Sequence, residues 1–288
     1  MRLASWRWGG GLHAGTVSTD GRELTPLAVV DAGRGALGLI QALARGEPLP
    51  PPSGARLPLA AVELCAPLPR PLRSLLCVGR NYRAHAAELA ASVFSGQAAQ
   101  HDGWPMVFTK FGECVVGPSD PVPMPAPSVS TQIDYEGELA VVIGRGGRDI
   151  PRAWAMDHVF GYTVVNDVTA RDIQQRHQQW DLGKNLDGFC PMGPWIVSAD
   201  ELDARHTRLR CWVNGELRQD ARTSDMIFDI PTLIETCSRG ITLMPGDVIA
   251  TGTPAGVGMA MAPPRWLRAG DVVRVEVDGL GYIENRFQ

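Results

Sequence analysis

Asp134-Tyr135-Glu136-Gly137-Glu138 runs directly into Leu139-Ala140-Val141-Val142-Ile143, and the reading of this stretch decides the rest of the chain. In a strand, residues i, i+2 and i+4 face one side, which would project Asp134, Glu136 and Glu138 together beside an apolar segment that reads as buried. Two carboxylates ~6–7 Å apart repel by roughly 2–3 kcal/mol at an effective dielectric of ~20, and by more where water is excluded. A bound divalent cation would relieve that repulsion. The competing reading is an edge strand with its acids in water, and the unbroken apolar run after Glu138 weighs against it.

Asp167 follows another apolar strand, Tyr162-Thr163-Val164-Val165-Asn166, and so could meet Glu136 and Glu138 across a sheet. Three carboxylates without a nearby histidine or cysteine suit a hard ion, Mg2+ or Mn2+ with Ca2+ as a further candidate, and make zinc a poor fit. Open positions on such an ion would receive substrate oxygens. Asp172 is set apart, because Thr169-Ala170-Arg171-Asp172 resembles a capping arrangement with the acid in the first helical turn.

His85 and Glu88 stand three apart on a helix expected from Arg83 to Ala91, so they share a face. Glu88 would orient the imidazole and raise its basicity, which makes the pair a candidate general base. An exposed pair on a helix surface is the plainer alternative. The position favours function, since the helix follows Gly79-Arg80-Asn81-Tyr82, a polar turn directly after the buried strand Leu75–Val78. Lys184 lies in a Gly- and Pro-dense loop ending at Pro194, and Arg171 and Gln174 lie on a helix expected from Ala170 to Trp180. Such cations can clamp a carboxylate. The segment from Pro245 to Gly258 is a strand entering a Gly-rich loop without the Gly-Lys-Ser/Thr of a phosphate loop, so no nucleotide cofactor is expected, although its amides and Thr253 could hold a small anion.

The chain has 288 residues, 44% of them hydrophobic, and a formal net charge of −4. That is enough to bury a large core. It shows no basic stripe for nucleic acid and no run of 18 apolar residues for a membrane. Without a leader-like amino terminus, a cytoplasmic protein is expected. Cys65, Cys77, Cys114, Cys190, Cys211 and Cys237 form no Cys-x-x-Cys pair and are expected as buried reduced thiols. Short strands around Asp20-Gly21, a helix from Leu37 to Ala44 and the Pro48–Gly54 stretch suggest a small N-terminal α/β domain and linker over residues 1–70. Residues 71–288 would form the catalytic domain, with a mobile loop from Ser92 to Trp104 as a candidate lid. Strands expected at 160–165, 195–197, 209–213, 248–250 and 272–277, with a helix at 230–239, point to an α+β fold around a mostly antiparallel sheet system.

In this order the motifs resemble the fumarylacetoacetate hydrolase family over roughly residues 72–288. The resemblance rests on Cys77–Tyr82 with His85 and Glu88, on Asp134–Glu138, on Asn166–Gln174, on the Lys184–Pro194 loop, on Val213–Glu216 and on Gly246–Gly258. It implies a mixed β-sandwich roll, a homodimer, and a divalent ion held by Glu136, Glu138 and Asp167. It also implies His85 and Glu88 as a catalytic dyad, Lys184 as the catalytic lysine, and substrate contacts from Arg171, Gln174 and Thr253. The polar turn adds Arg80 and Tyr82 to those contacts, and Asp134 becomes a supporting acid. Many relatives carry Lys-Ser-x-Asp-Thr where this chain has Lys184-Asn185-Leu186-Asp187-Gly188, which puts the substrate in question. Gln174–Trp180 could shape a polar pocket wall or face solvent. The activity the resemblance implies first is metal-assisted carbon–carbon hydrolysis of a 2,4-dioxo acid to pyruvate and a carboxylic acid. Decarboxylation or keto–enol isomerisation of oxaloacetate or another 2-oxo diacid is the alternative. A non-catalytic metabolite or metal binder is the reading from another class.

Overall fold

The computed structural model describes residues 1–29, 31–91, 103–176 and 179–288. Most of the expected lid segment, and His177 in the Gln-rich stretch, lie outside the described residues. Leu139–Ile143 explains the architecture. Leu139, Val141 and Ile143 join one hydrophobic cluster while Ala140 and Val142 join another, so the strand Gly137–Ile143 is buried on both faces and its apolar run need not alternate with polar residues. Its neighbours are Val159–Asn166 on one side and Val248–Ala250 on the other, both antiparallel. Val248–Ala250 pairs in parallel with Leu75–Gly79, which ends in the turn before the His85 helix.

Beyond Val159–Asn166 the sheet continues through Cys190–Ser198 to Arg2–Trp8, Gly11–Val17 and Glu23–Pro26. The amino-terminal strands therefore extend the central sheet edge to edge. Asp20-Gly21 lies in the turn joining the second and third of them, and Gly21 takes the left-handed φ of 71° that a glycine permits there. The helix Leu37–Ala44 covers one face, packing Leu37, Leu39 and Ile40 with Ala140, Val142, Val248 and Ala250. A second sheet of four strands, ordered Glu216–Arg222, Arg208–Val213, Val272–Val277 and Gly281–Arg286, covers the other. Leu209, Cys211, Val273 and Val275 close that layer against Leu139, Val141 and Val164. The result is the α+β sandwich expected, with antiparallel pairing dominant and helices few.

The expected helix from Ala170 to Trp180 is shorter. It runs Arg171–Arg176, and Trp180 begins a second short helix, Asp181–Lys184, so Lys184 ends a helix instead of sitting in a loop. All six cysteines are buried and free of disulfides. No helix among the described residues is long and apolar enough to cross a membrane.

Candidate active site

The acidic run is not one period-two face. Ile133–Asp134 pairs with Thr169–Ala170 as a separate ribbon, Tyr135 and Glu136 leave the ladder, and the main-sheet strand starts at Gly137. Local hydrogen bonds make the break. The Glu136 N–H donates to Asn166 Oδ1 at 3.0 Å in place of a ladder partner, and the Asp167 N–H donates to the Glu136 carbonyl at 2.8 Å. That exchange draws Glu136 and Asp167 together at the end of the Gly137–Asn166 pairing, with Glu138 opposite Val165. Glu136, Glu138 and Asp167 are all buried, and each offers a carboxylate oxygen within 4.8 Å of the others. Asp134 stands outside this trio. It accepts from the amides of Gly258 and Met259 and from Arg171, which ties the Gly-rich loop to the Arg171 helix.

The charges around this cluster do not balance. Lys184 Nζ lies 2.7 Å from Glu136 and 2.6 Å from Asp167, Lys110 Nζ lies 2.8 Å from Asp167, and Arg171 spans Asp134 at 2.9 Å and Glu136 at 2.7 Å. Among the described residues four acids thus face three cations, and Glu138 is the acid left over, its carboxylate accepting only the Gly252 N–H there, at 2.8 Å. Burial, then Asp167 and Glu136, push its carboxyl well above the ordinary glutamate range. Burial works the same way on Glu136, but Lys184 and Arg171 outweigh it and hold that carboxyl below the ordinary range. Asp167 Oδ1, although ion-paired with Lys110, has no aligned hydrogen-bond donor among the described residues. A surplus buried carboxylate, an oxygen with a spare lone pair and an all-oxygen donor set fit a hard divalent cation.

His85 faces the same space. His85 Nδ1 is 3.0 Å from Glu88 Oε2, and the other Glu88 oxygen accepts the Gly256 N–H at 2.9 Å. The glutamate is thereby fixed between the helix and the Gly-rich loop, and it leaves Nε2 as the ring nitrogen for chemistry. His85 is buried, so the exposed-pair alternative fails on burial. One cavity is lined by His85, Glu136, Glu138, Lys184, Arg171, Gln174, Thr253 and Arg80. Arg171 donates to Asp134 at 3.0 Å and to the Gln174 side chain at 3.2 Å and is ion-paired with Glu136, so its guanidinium is largely committed within the protein. Tyr82 does not line the cavity and packs in the main core.

Two residues the sequence reading passed over belong to this arrangement. Lys110 ends the strand Met106–Lys110 fully buried, with its ammonium also donating to the Val168 carbonyl at 3.2 Å. Gln219, on Glu216–Arg222, accepts the Gly137 N–H at 2.9 Å and donates to Thr253 Oγ1 at 2.7 Å, bracing the backbone between the two glutamates. Asn214-Gly215 is a hairpin signal that marks the turn before that strand, but nothing in the polar strand itself singles out Gln219.

The comparisons with known proteins agree with this architecture. The family model described as fumarylacetoacetate (FAA) hydrolase C-terminal matches residues 74–288. Oxaloacetate tautomerase YisK of Bacillus subtilis (strain 168) is 49% identical over 229 residues, 79% of this chain and 74% of that protein. Among solved structures, a fumarylacetoacetate hydrolase from psychrophilic Exiguobacterium antarcticum is 39% identical, with a TM-score of 0.85 over 100% of this chain and 99% of that one. Maleylpyruvate hydrolase from Sphingobium sp. SYK-6, in complex with manganese (II) ion and pyruvate, is 33% identical with a TM-score of 0.75 over 100% and 98%. With the family model spanning most of the chain and enzymes of one fold aligned along it, the protein belongs to the fumarylacetoacetate hydrolase family.

Proposed function

We propose that this protein is a divalent-cation-dependent enzyme that interconverts the keto and enol forms of a 2-oxo acid, with oxaloacetate the leading substrate. The observation that carries the reading is that Glu136, Glu138 and His85 line one cavity, with Asp167 clustered against the two glutamates and Glu88 bonded to His85. The 49% identity to an oxaloacetate tautomerase supports the choice of substrate. Glu136, Glu138 and Asp167 would hold Mg2+ or Mn2+, which when bound supplies Lewis acidity to a 2-oxo carboxylate. His85 Nε2 then moves the proton at C3, and Glu88, held by Gly256, keeps Nδ1 protonated so that Nε2 presents its lone pair. Lys184 directs donors to Glu136 and Asp167, and a remaining N–H is available to the C2 oxygen as negative charge develops there. Thr253 and Gln174 complete the polar wall.

A second reading, carbon–carbon hydrolysis of a 2,4-dioxo acid, is favoured by the same dyad, which is suited to taking a proton from an attacking water. Decarboxylation shares the triad without needing that water. A panel of enol and keto oxaloacetate, acylpyruvates and sugar-derived 2,4-dioxo acids, assayed with Mg2+ or Mn2+, separates them. Tautomerisation collapses enol absorbance without new products, hydrolysis yields pyruvate plus a second acid, and decarboxylation releases carbon dioxide. His85→Ala is expected to lower turnover at least ~100-fold while cation affinity stays within about twofold. Wild-type turnover in that variant would remove the dyad from the mechanism.

A further inference from the structure

Arg80 sits at the mouth of the strand Leu75–Gly79 in the left-handed region, with φ of 56°, a conformation rare for a residue with a side chain and kept only where its surroundings impose it. The surroundings here do impose it. Asn81 donates to the carbonyls of Phe228 at 3.0 Å and Thr251 at 2.8 Å and accepts the Phe228 N–H at 2.8 Å. On the other side Trp180 presses so closely that a Cβ on Gly79 would lie 2.7 Å from its ring. The clamped turn sends the Arg80 side chain over Trp180, with its guanidinium carbon 5.9 Å from the ring centroid, into the cavity wall.

No carboxylate among the described residues answers its charge. Arg171 and Lys184, the other arginine and lysine side chains lining the cavity, are each held by two carboxylates. Arg80 has no ion pair among the described residues, and its Nη1 is buried without a hydrogen-bond partner. Burial alone lowers its pKa, with no acid opposing the shift. Stacking on Trp180 satisfies the face of the guanidinium but none of its N–H donors. A strained, desolvated, half-buried fork of donors is therefore presented to the space lined by Glu136 and Glu138 of the carboxylate triad.

We infer that Arg80 receives the second carboxylate of a dicarboxylic ligand whose 2-oxo acid end lies at Glu136, Glu138 and Asp167. This rests on the 2-oxo acid reading above and adds how the site separates diacids from monoacids. A planar guanidinium matches a carboxylate in two parallel hydrogen bonds, whereas a methyl group in the same place would leave the donors unpaired.

The test uses two stable ligands that differ only there, L-malate and (S)-2-hydroxybutanoate, titrated calorimetrically into the Mn2+-loaded protein. Wild type is expected to bind malate ~10- to 100-fold more tightly. Arg80→Met, which keeps the stem and removes the charge, brings the ratio to about 1–3, and Arg80→Lys falls between. Equal affinities in wild type, or an undiminished ratio in a folded Arg80→Met that still binds Mn2+, overturn the inference. Should Arg80→Met fail to bind Mn2+, the wild-type ratio together with Arg80→Lys decides. The enzymatic reading fails separately: if wild type exchanges no C3 proton of any 2-oxo acid, that reading falls while the ligand ratio still reports on Arg80.

Discussion

Glu138 is the residue on which the electrostatics of the site turn. Glu136 and Asp167 share Lys184, and Asp134 is answered by Arg171, but among the described residues Glu138 has one backbone N–H and no cation of its own. An unpaired buried carboxylate opposes folding until something compensates it. Glu138→Gln is therefore expected to stabilise the cation-free protein by about 1–3 kcal/mol, seen as a higher melting temperature in chelator, while weakening Mn2+ binding at least tenfold. A lower melting temperature for the variant in chelator would mean that the negative charge is already balanced without an ion. Added Mn2+ is expected to reverse the order, raising the wild-type melting temperature well above that of the variant.

Among the elements, the helix Ile230–Ser238 shows how a cap reaches the site. Asp229 accepts from the Thr232 amide at 3.0 Å and its hydroxyl at 2.6 Å, and pairs with Arg152 at 2.5 Å. The preceding residue, Phe228, is bonded through its backbone to Asn81, next to Arg80. Burial raises the Asp229 pKa, but the Thr232 hydroxyl and amide and Arg152 outweigh it, so the carboxyl is held below its ordinary 3.8. A depressed folded-state value means that the stabilisation is present above pH 3.8 and is lost as pH falls through the folded-state value. Asp229→Ala should accordingly cost about 1 kcal/mol at pH 7, and the wild-type and variant denaturation midpoints should converge as pH falls below 3.8 through the folded-state value. A gap that persists undiminished in acid would assign the loss to packing.

At the scale of the whole molecule, the amino-terminal strands belong to the central sheet. Arg2–Trp8 pairs with Cys190–Ser198, Leu3 and Trp6 are fully buried, and the helix Leu37–Ala44 closes the face opposite the four-stranded sheet. Burying one large apolar side chain contributes about 1.5–3 kcal/mol, and whole domains are stable by only about 5–15 kcal/mol. A chain of residues 71–288, although it carries every proposed site residue, is expected to aggregate or to melt at least ~10 °C below the full protein, as read by circular dichroism and size-exclusion chromatography. A truncated chain with full-length stability and cation binding would make residues 1–70 an appendage.

By itself the sequence determined the chemistry available and most of the local structure. The buried run Leu139–Ile143, the helix Arg83–Ala91 with His85 and Glu88 on one face, and the strands Val248–Ala250 and Val272–Val277 depend on neighbours a few residues apart, and they form where the pattern placed them. Only the tertiary structure decided which charges meet. Period two treated Asp134, Glu136 and Glu138 alike, yet Asn166 captures the Glu136 amide, breaks the ladder and sends Asp134 to Arg171 and the Gly-rich loop. Lys110 and Gln219 carried no local mark, because each matters only through partners dozens of residues away, Asp167 for one and Gly137 and Thr253 for the other. Spacing along the chain specifies which side chains can share a face. The pairing of buried charges is set by distance and desolvation in three dimensions, and these exist only once the sheets have closed.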